Sequence, residues 1–362
     1  MRSWSLPVGK FFGIQVFIHW TFWILIVWIF LMHIGEGFGR AASGALFILA
    51  LFGCVVLHEF GHALTAKRFG VVTRDITLYP IGGISSFESM PERPAHELLI
   101  SLAGPSVNIV IAAILWLYLR SSGQMPNLST MTETQIANLP FLYSLFLANL
   151  TLAIFNLIPA FPMDGGRVFR ALLGFAMNKN AATRVAATLG QVLAIVFVFL
   201  GFFYNFWLVF IGLFIYIGAS GEAAFEQTKS ALAGLKVKDA LMHRFTVLKP
   251  DAALSEAVDA LLNSQESEFV VADAGKPVGL LTRNEIVRGL SEQGKDAPVS
   301  SFMIKDFFIV KPEMKLHEFF QQVLEKGQSV ALVMDGDSFI GLIDRENVEE
   351  KLMIQEALRN HR

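Results

Sequence analysis

The residues best suited to chemistry lie in one apolar stretch, where His58, Glu59 and His62 form the pattern His-Glu-x-x-His. Side chains four residues apart lie on one face of a helix, so both imidazoles could bind a single metal ion. Zinc accepts histidine nitrogens at about 2.0–2.1 Å, and a glutamate beside the first histidine can deprotonate water. The spacing therefore predicts a zinc centre with Glu59 as its catalytic base.

The sequence around this pattern indicates whether the helix lies in a membrane or in water. From Leu46 to Leu64 the sequence is apolar except for His58, Glu59 and His62. An ionisable side chain inside a membrane helix costs about 2.5–3.5 kcal/mol on insertion scales, so these three imply partners or a water-filled cavity. The alternative is an accidental match on a soluble helix. The apolar setting favours a metal-hydrolase helix within a membrane.

A third ligand is predicted in the segment 156–167, which reads Asn-Leu-Ile-Pro-Ala-Phe-Pro-Met-Asp-Gly-Gly-Arg. Its two prolines interrupt helical hydrogen bonding and its glycines permit a tight turn, which puts Asp164 on irregular backbone at membrane depth. Two histidines and one carboxylate, with a fourth position open, form a catalytic zinc ligand set. The alternative is that Asp164 only caps a helix beginning at Gly165 or Gly166.

Composition divides the chain into an apolar part and a polar part. Hydrophobic residues make up 54% of the chain, and of its 60 charged residues 20 lie in residues 1–220 and 40 in residues 221–362. About 20 apolar residues span a bilayer. We therefore predict a multi-pass α-helical membrane domain followed by a soluble domain. The six predicted spans are 16–34, 44–66, 96–119, 139–160, 186–204 and 205–220.

Loop charges predict how the spans are oriented, because short cytoplasmic loops are rich in Lys and Arg. The intervening loops carry only Arg40, then Arg120, then none. Both termini are thus predicted in the cytoplasm of a plasma or inner cell membrane protein, and a net charge of −2 gives no argument for nucleic acid. The basic residues of the N-terminus and of the loops after spans 2 and 4 are Arg2, Lys10, Lys67, Arg68, Arg74, Arg93, Arg167, Arg170, Lys179 and Arg184.

Two further features could contact a substrate. Asn108 could donate an amide hydrogen to a developing oxyanion or could join two helices, and Asn156 carries the same ambiguity. Between spans 2 and 3, alternating residues and the pair Gly82-Gly83 predict a short strand or hairpin near the site. An extended peptide could add to such an edge. A plain surface loop is the alternative.

Three motifs occur in an order that resembles the site-2 protease family of intramembrane zinc metalloproteases. They are HEFGH (58–62), AGPSVN (103–108) and NLIPAFPMDGGR (156–167). The resemblance covers essentially the whole chain and is to the six-span subgroup with a C-terminal pair of CBS modules. It implies a lipid-embedded enzyme that cuts membrane-anchored regulators within or beside their transmembrane segment.

The resemblance also implies roles for single residues. One zinc ion per chain would be held by His58, His62 and Asp164, with Glu59 as the base. Asn108 and Asn156 would lie near the substrate, and the strand around 81–85, with Gly82 and Gly83, would line the cleft.

The polar part repeats itself at an offset of 61–62 residues, as in Gly279-Leu-Leu-Thr-Arg and Gly341-Leu-Ile-Asp-Arg. Each unit has a predicted helix (254–263, 316–326) followed by an apolar strand (269–272, 330–334), so two similar α/β units are expected to pack together. They resemble CBS modules. The predicted domains are a protease domain 1–220, a linker 221–236 and CBS repeats 237–292 and 298–352.

The resemblance to CBS modules implies an adenine nucleotide ligand or a homodimer formed through the pair. Nucleotide-binding members carry Thr or Ser after the glycine-led strand and Asp three residues later. Here the first repeat has Thr282 and Glu285, and the second has Asp344 and Asn347. A carboxylate in place of a phosphate-facing hydroxyl weakens the nucleotide hypothesis.

Two other functions stay open from the residues alone. A membrane transporter or metal carrier with a CBS sensor could use the histidines and Asp164 as ion-pathway groups. A catalytically idle binding scaffold is the second. The transporter or carrier needs neither Glu59 specifically nor an open ligand position.

Overall fold

The computed structural model describes residues 4–87, 91, 93–126, 139–264, 266–326 and 330–359. Contacts between Cα atoms divide the chain after Glu226 into two compact units. The first unit contains one four-stranded sheet and most of the apolar helices, and the second contains two three-stranded sheets with helices.

The sheet of the first unit has the order β1-β2-β3-β4, so β4 is an edge strand. Strands β1 and β2 form a hairpin, β2 runs parallel to β3, and β3 pairs antiparallel with β4. The hairpin predicted between spans 2 and 3 is therefore confirmed as β3 and β4. The strand bounds are Ser5–Phe11 for β1, Ile14–His19 for β2, Thr73–Tyr79 for β3 and Gly82–Phe87 for β4.

The start of the first predicted span is wrong, because residues 14–19 are strand β2 and the helix begins only at Trp20. Ile14 and Val16 alternate into a small core with Phe60 and Ile76. A run that is apolar on both faces of a strand looks like a membrane helix in the sequence, since its hydrophobicity is continuous.

Seven helices follow one another among the described residues of the first unit. Helices α2, α3, α6 and α7 are long and apolar enough to cross a membrane by length and composition, whereas α1 and α4 are apolar but shorter. The prediction of a multi-pass helical domain holds, with its first and fourth spans at 14 and 16 residues. The bounds are α1 Trp20–His33, α2 Phe38–Arg68, α3 Pro94–Ser121, α4 Phe141–Asn156, α5 Asp164–Gly174, α6 Lys179–Phe203 and α7 Trp207–Ala231.

The segment after the fourth span, predicted as a charged loop, contains the amphipathic helix α5. Arg170, counted above as a loop charge, is only 2% exposed. A buried guanidinium requires acidic partners, and Arg170 has two, which are described below.

The second unit consists of two copies of one α/β arrangement, as the repeat predicts. In each copy a short first strand runs parallel to the second, and the second pairs antiparallel with the third. Val270 and Leu280 of one sheet pack against Leu332 and Leu342 of the other. The elements are β5 Val247–Leu248, α8 Leu254–Asn263, β6 Glu268–Asp273, β7 Lys276–Thr282, α9 Arg283–Gln293, β8 Phe308–Val310, α10 Leu316–Lys326, β9 Val330–Asp335, β10 Ser338–Asp344 and α11 Arg345–Arg359.

Candidate metal and catalytic site

The centre of the candidate site is a triangle of three side-chain atoms. His58 and His62 project from one face of α2, and their Nε2 atoms lie 3.1 Å apart. Oδ2 of Asp164 lies 3.3 Å from Nε2 of His58 and 3.1 Å from Nε2 of His62. Two segments about 100 residues apart thus meet at one point.

The turn before α5 brings Asp164 to the histidines. Asp164 is the first residue of α5 and Met163 is the N-cap, so the carboxylate is directed to the histidines instead of capping the helix. A Cβ on Gly165 would overlap the carbonyl oxygen of Ile158, and one on Gly166 would lie 2.6 Å from the nitrogen of Phe161. Only glycine allows the backbone to fold back so closely.

The outer ring nitrogens of both histidines have fixed partners. Nδ1 of His58 lies 2.5 Å from Oδ1 of Asn108, and Nδ1 of His62 lies 2.7 Å from the carbonyl oxygen of Ile100. The amide of Asn108 is oriented in turn, because its Nδ2 donates to Oδ1 of Asn149 over 2.9 Å. In neutral rings, oxygen acceptors at both Nδ1 atoms hold the protons there, which leaves a lone pair on each Nε2.

With both rings neutral, the three inner atoms are all electron-pair donors. Two imidazole lone pairs and a carboxylate oxygen at 3.1–3.3 Å would repel one another without a cation. Four ligands at about 2.0–2.1 Å from a tetrahedral zinc ion lie roughly 3.3 Å from each other. The chemistry and the spacing of the three residues therefore fit zinc.

Helix α3 supports the site through a glycine. A Cβ on Gly104 would overlap Nε2 of His62 and lie 2.7 Å from Nε2 of His58. On the facing helix, a Cβ on Gly61 would lie 2.8 Å from the carbonyl oxygen of Ala103. Glycine at these two positions lets α2 and α3 approach closely, and Gly104 belongs to the motif at residues 103–108.

Glu59 lies under the edge strand β4. The hydroxyl of Ser85 donates to Oε2 of Glu59 over 2.5 Å. A Cβ on Gly83 would lie 2.7 Å from Cγ of Glu59, so the strand passes directly over this side chain. The role of Ser85 as a partner of Glu59 was missed, although alternation along a strand does place residues 83 and 85 on one face.

The two asparagines differ in what their amides do. Asn108 is fully buried and uses its oxygen for His58 and its nitrogen for Asn149. Asn156 ends α4, is half-buried, and makes no side-chain hydrogen bond to another described residue. Among the described residues the side-chain amide of Asn156 is therefore unengaged, whereas that of Asn108 is engaged on both sides.

In the second unit the candidate ligand residues lie at the starts of two helices, where their side chains already have partners. The hydroxyl of Thr282 donates to the carboxylate of Glu285 at the start of α9. At the start of α11, Oδ1 of Asp344 accepts from the backbone N–H of Asn347 over 2.7 Å, and Oδ1 of Asn347 accepts from the N–H of Asp344 over 3.3 Å. Such reciprocal pairs satisfy the free N–H groups of a helix start. Burial raises the pKa of the Asp344 carboxyl.

Comparison with known families assigns both units. The family model described as Peptidase family M50 matches residues 46–137 and 121–200. The model described as CBS domain matches residues 237–292 and 299–353.

Relatives extend over almost the whole chain. Zinc metalloprotease MJ0392 of Methanocaldococcus jannaschii is 30% identical over 355 residues, covering 98% of each chain. Rip3 of Mycobacterium tuberculosis is 25% identical, covering 95% of this chain and 92% of its own. The solved site-2 protease from Methanocaldococcus jannaschii is 37% identical with a TM-score of 0.44, covering 61% of this chain and 95% of its own.

Proposed function

This chain belongs to peptidase family M50 and is a zinc metalloprotease with a pair of CBS domains, and from this premise we propose that His58, His62 and Asp164 hold its zinc ion. The observation that supports the assignment most is the triangle of two imidazole Nε2 atoms and one carboxylate oxygen, which lie 3.1–3.3 Å apart with both Nδ1 atoms facing oxygen acceptors. Zinc bound there would act as a Lewis acid and lower the pKa of water toward 7.

Glu59 is the general base of the proposed reaction. It neighbours His58 in sequence, and Ser85 holds its Oε2 through a hydrogen bond. Oε1 is then the oxygen that takes a proton from the attacking water and returns it to the leaving amine. Proton transfer of this kind contributes about 10²–10⁴-fold to the rate.

The oxyanion that forms on the scissile carbonyl needs a hydrogen-bond donor. Asn156 is the proposed donor, because its amide makes no other side-chain hydrogen bond to the described residues. Asn108 has a different proposed role: it orients the ring of His58 and supports its basicity.

The proposed substrate is a membrane-anchored regulatory protein cut in or next to its transmembrane segment. The four long apolar helices agree with a site inside a bilayer, and β4 with Gly82 and Gly83 offers an edge beside Glu59. A substrate helix must unwind before cleavage, because its carbonyls are hydrogen-bonded within the helix. An unwound peptide could pair with β4 through its backbone.

The proposed location of the first unit is the plasma or inner cell membrane, with both termini of the chain in the cytoplasm. This finer orientation rests on the distribution of Lys and Arg in the sequence.

The CBS pair is the proposed regulatory or dimerisation module. The side chains of Thr282 and Asp344 already have partners at the helix starts, and the carboxylate of Asp344 would repel a phosphate. These contacts favour dimerisation over nucleotide binding. Calorimetric titration of the full-length protein with AMP, ADP and ATP, together with its mass by light scattering, separates the two: heat with any of them would establish a nucleotide ligand.

The proposal is tested by incubating the purified protein with a single-span model substrate. Cleavage should stop when a zinc chelator is added and return when zinc is restored. Glu59→Gln should lower the cleavage rate by about 10²–10⁴-fold, while the zinc content stays at one ion per chain.

Glu36→Gln is the matched control, because Glu36 forms an exposed ion pair with Arg40 at 2.9 Å and has no proposed role in the reaction. This variant should cleave as the parent does. Substantial turnover by Glu59→Gln would overturn the assignment of the base.

A further inference from the structure

A buried ionic cluster lies two turns beyond Asp164 on the same helix. Nε of Arg170 donates to Oε1 of Glu97 over 2.7 Å, and its second terminal nitrogen lies 2.5 Å from the same oxygen. Its remaining nitrogen donates to Glu222. The guanidinium also lies over the ring of Phe161, 5.1 Å from the centroid. No step of the proposed reaction uses these groups.

The cluster joins three helices, α3, α5 and α7. Arg170 belongs to α5, which begins at Asp164, and Glu97 lies in the first turn of α3. Three residues further along α3, the carbonyl of Ile100 holds His62. Arg170 and Glu97 therefore connect the helix of the carboxylate ligand to the helix that orients a histidine ligand.

Helix α7 supplies the third partner and also contacts the turn on the other side of Asp164. A Cβ on Gly218 would lie 2.8 Å from Cγ of Pro162. Ile215, one turn earlier, belongs to the same buried cluster as Met163. Because residues 215, 218 and 222 lie on one face, α7 contacts both the turn before Asp164 and the helix after it.

The geometry of this cluster suits positioning better than stabilisation. A buried ion pair adds little stability over an apolar packing of the same volume, because desolvation offsets the attraction. A guanidinium, however, is a rigid fork that fixes the direction of its partners. A fixed direction matters here, since metal ligands must lie within a few tenths of an ångström of their place.

We propose that Arg170 is a positioning residue: it fixes the position of α5 so that Asp164 reaches the two imidazoles. Through Glu222, the position of α5 also depends on that of α7. The inference rests on the proposed zinc site. Helix α7 runs without interruption from Trp207 to Ala231, past the division between the two units after Glu226. A shift of α7 imposed by the CBS-bearing part of the chain would therefore move the third metal ligand.

The test uses the full-length protein with cobalt(II) in place of zinc, since cobalt absorption reports ligand geometry. Glu222→Gln is the informative variant: Glu222 is the more exposed carboxylate, at 26% against 5% for Glu97, so Arg170 keeps one buried partner. We expect cobalt affinity to fall about tenfold, as for other outer partners of metal ligands, and the d–d band to change. Turnover should fall with KM unchanged.

Arg170→Lys is the second variant, because it keeps the charge and loses the fork. It should change the cobalt band and the affinity in the same direction, whereas a role of charge alone would leave both as in the parent. Glu36→Gln, which breaks an exposed Glu–Arg pair, should change neither.

The outcomes separate the two proposals. If the parent binds no cobalt, or Asp164→Ala binds it as tightly as the parent, the proposed zinc site is wrong. If the parent binds cobalt and Asp164→Ala does not, but Glu222→Gln and Arg170→Lys match the parent in affinity and spectrum, only the positioning inference is overturned.

Discussion

Some single residues shape this site without supplying a ligand atom, either by leaving space for the imidazoles or by orienting them. Gly104 contributes no functional group, yet only a hydrogen at this position leaves room for both Nε2 atoms. Asn108 and the Ile100 carbonyl likewise act from outside, by keeping protons on the Nδ1 atoms. The proposed ligand set therefore depends on residues that are not themselves proposed ligands.

Gly104→Ala tests this dependence. The added methyl would overlap Nε2 of His62, so the imidazole must turn away and we expect zinc affinity to fall about tenfold or more. Zinc content after dialysis against a weak chelator measures the effect.

Gly53→Ala on α2 is the matched control, because a Cβ there meets no atom within 4 Å and alanine favours a helix. It should retain its zinc. Equal zinc retention by both variants would contradict the packing argument.

At the scale of elements, the start of α11 carries a buried carboxyl group, that of Asp344, whose ionised form is disfavoured. Asp344 is buried where it caps the helix, and this burial raises the pKa of its carboxyl in the folded state. A raised folded pKa means that the ionised form costs stability. The stability that the protonated Asp344 contributes is fully present below the pKa of the carboxyl in the unfolded chain. It is lost as the pH rises through the raised pKa of the folded protein.

Asp344→Asn should therefore stabilise the second unit at neutral pH. The amide oxygen can still accept the N–H of Asn347, and no charge is buried. The free energy of unfolding, measured by urea denaturation, should exceed that of the parent at pH 7. The difference should shrink toward zero as the pH falls below about 4. A variant that is less stable at pH 7 would show that the charge itself supports the helix.

Sequence and structure agree best at this same scale where a pattern is local. The histidine pair, the hairpin with Gly82 and the repeated CBS elements each follow from residues close together in the chain. Strand β2 was taken for membrane helix, because its apolar run continues into α1. The partners of Arg170 lie 73 and 52 residues away, so no local pattern could reveal them. The cost of a charge among apolar helices was the available signal.

For the whole molecule, the chain joins a membrane-embedded protease to a soluble CBS pair. Membership in a metalloprotease family replaces the transporter and scaffold alternatives, which the residues alone left open. All residues proposed for zinc binding and catalysis belong to the first unit. The proposed regulation by the CBS pair would then act on this unit from outside the site, and α7 is the segment that continues across the division.

The central claim is that two imidazoles and one carboxylate share a zinc ion. Zinc X-ray absorption of the purified full-length protein, with the metal content of His58→Ala and Asp164→Ala, tests it most directly. We predict one zinc per chain with nitrogen and oxygen ligands at about 2.0–2.2 Å, and loss of the metal from both variants. A sulfur shell at about 2.3 Å, which would implicate Cys54, or full zinc content in either variant, would contradict the account.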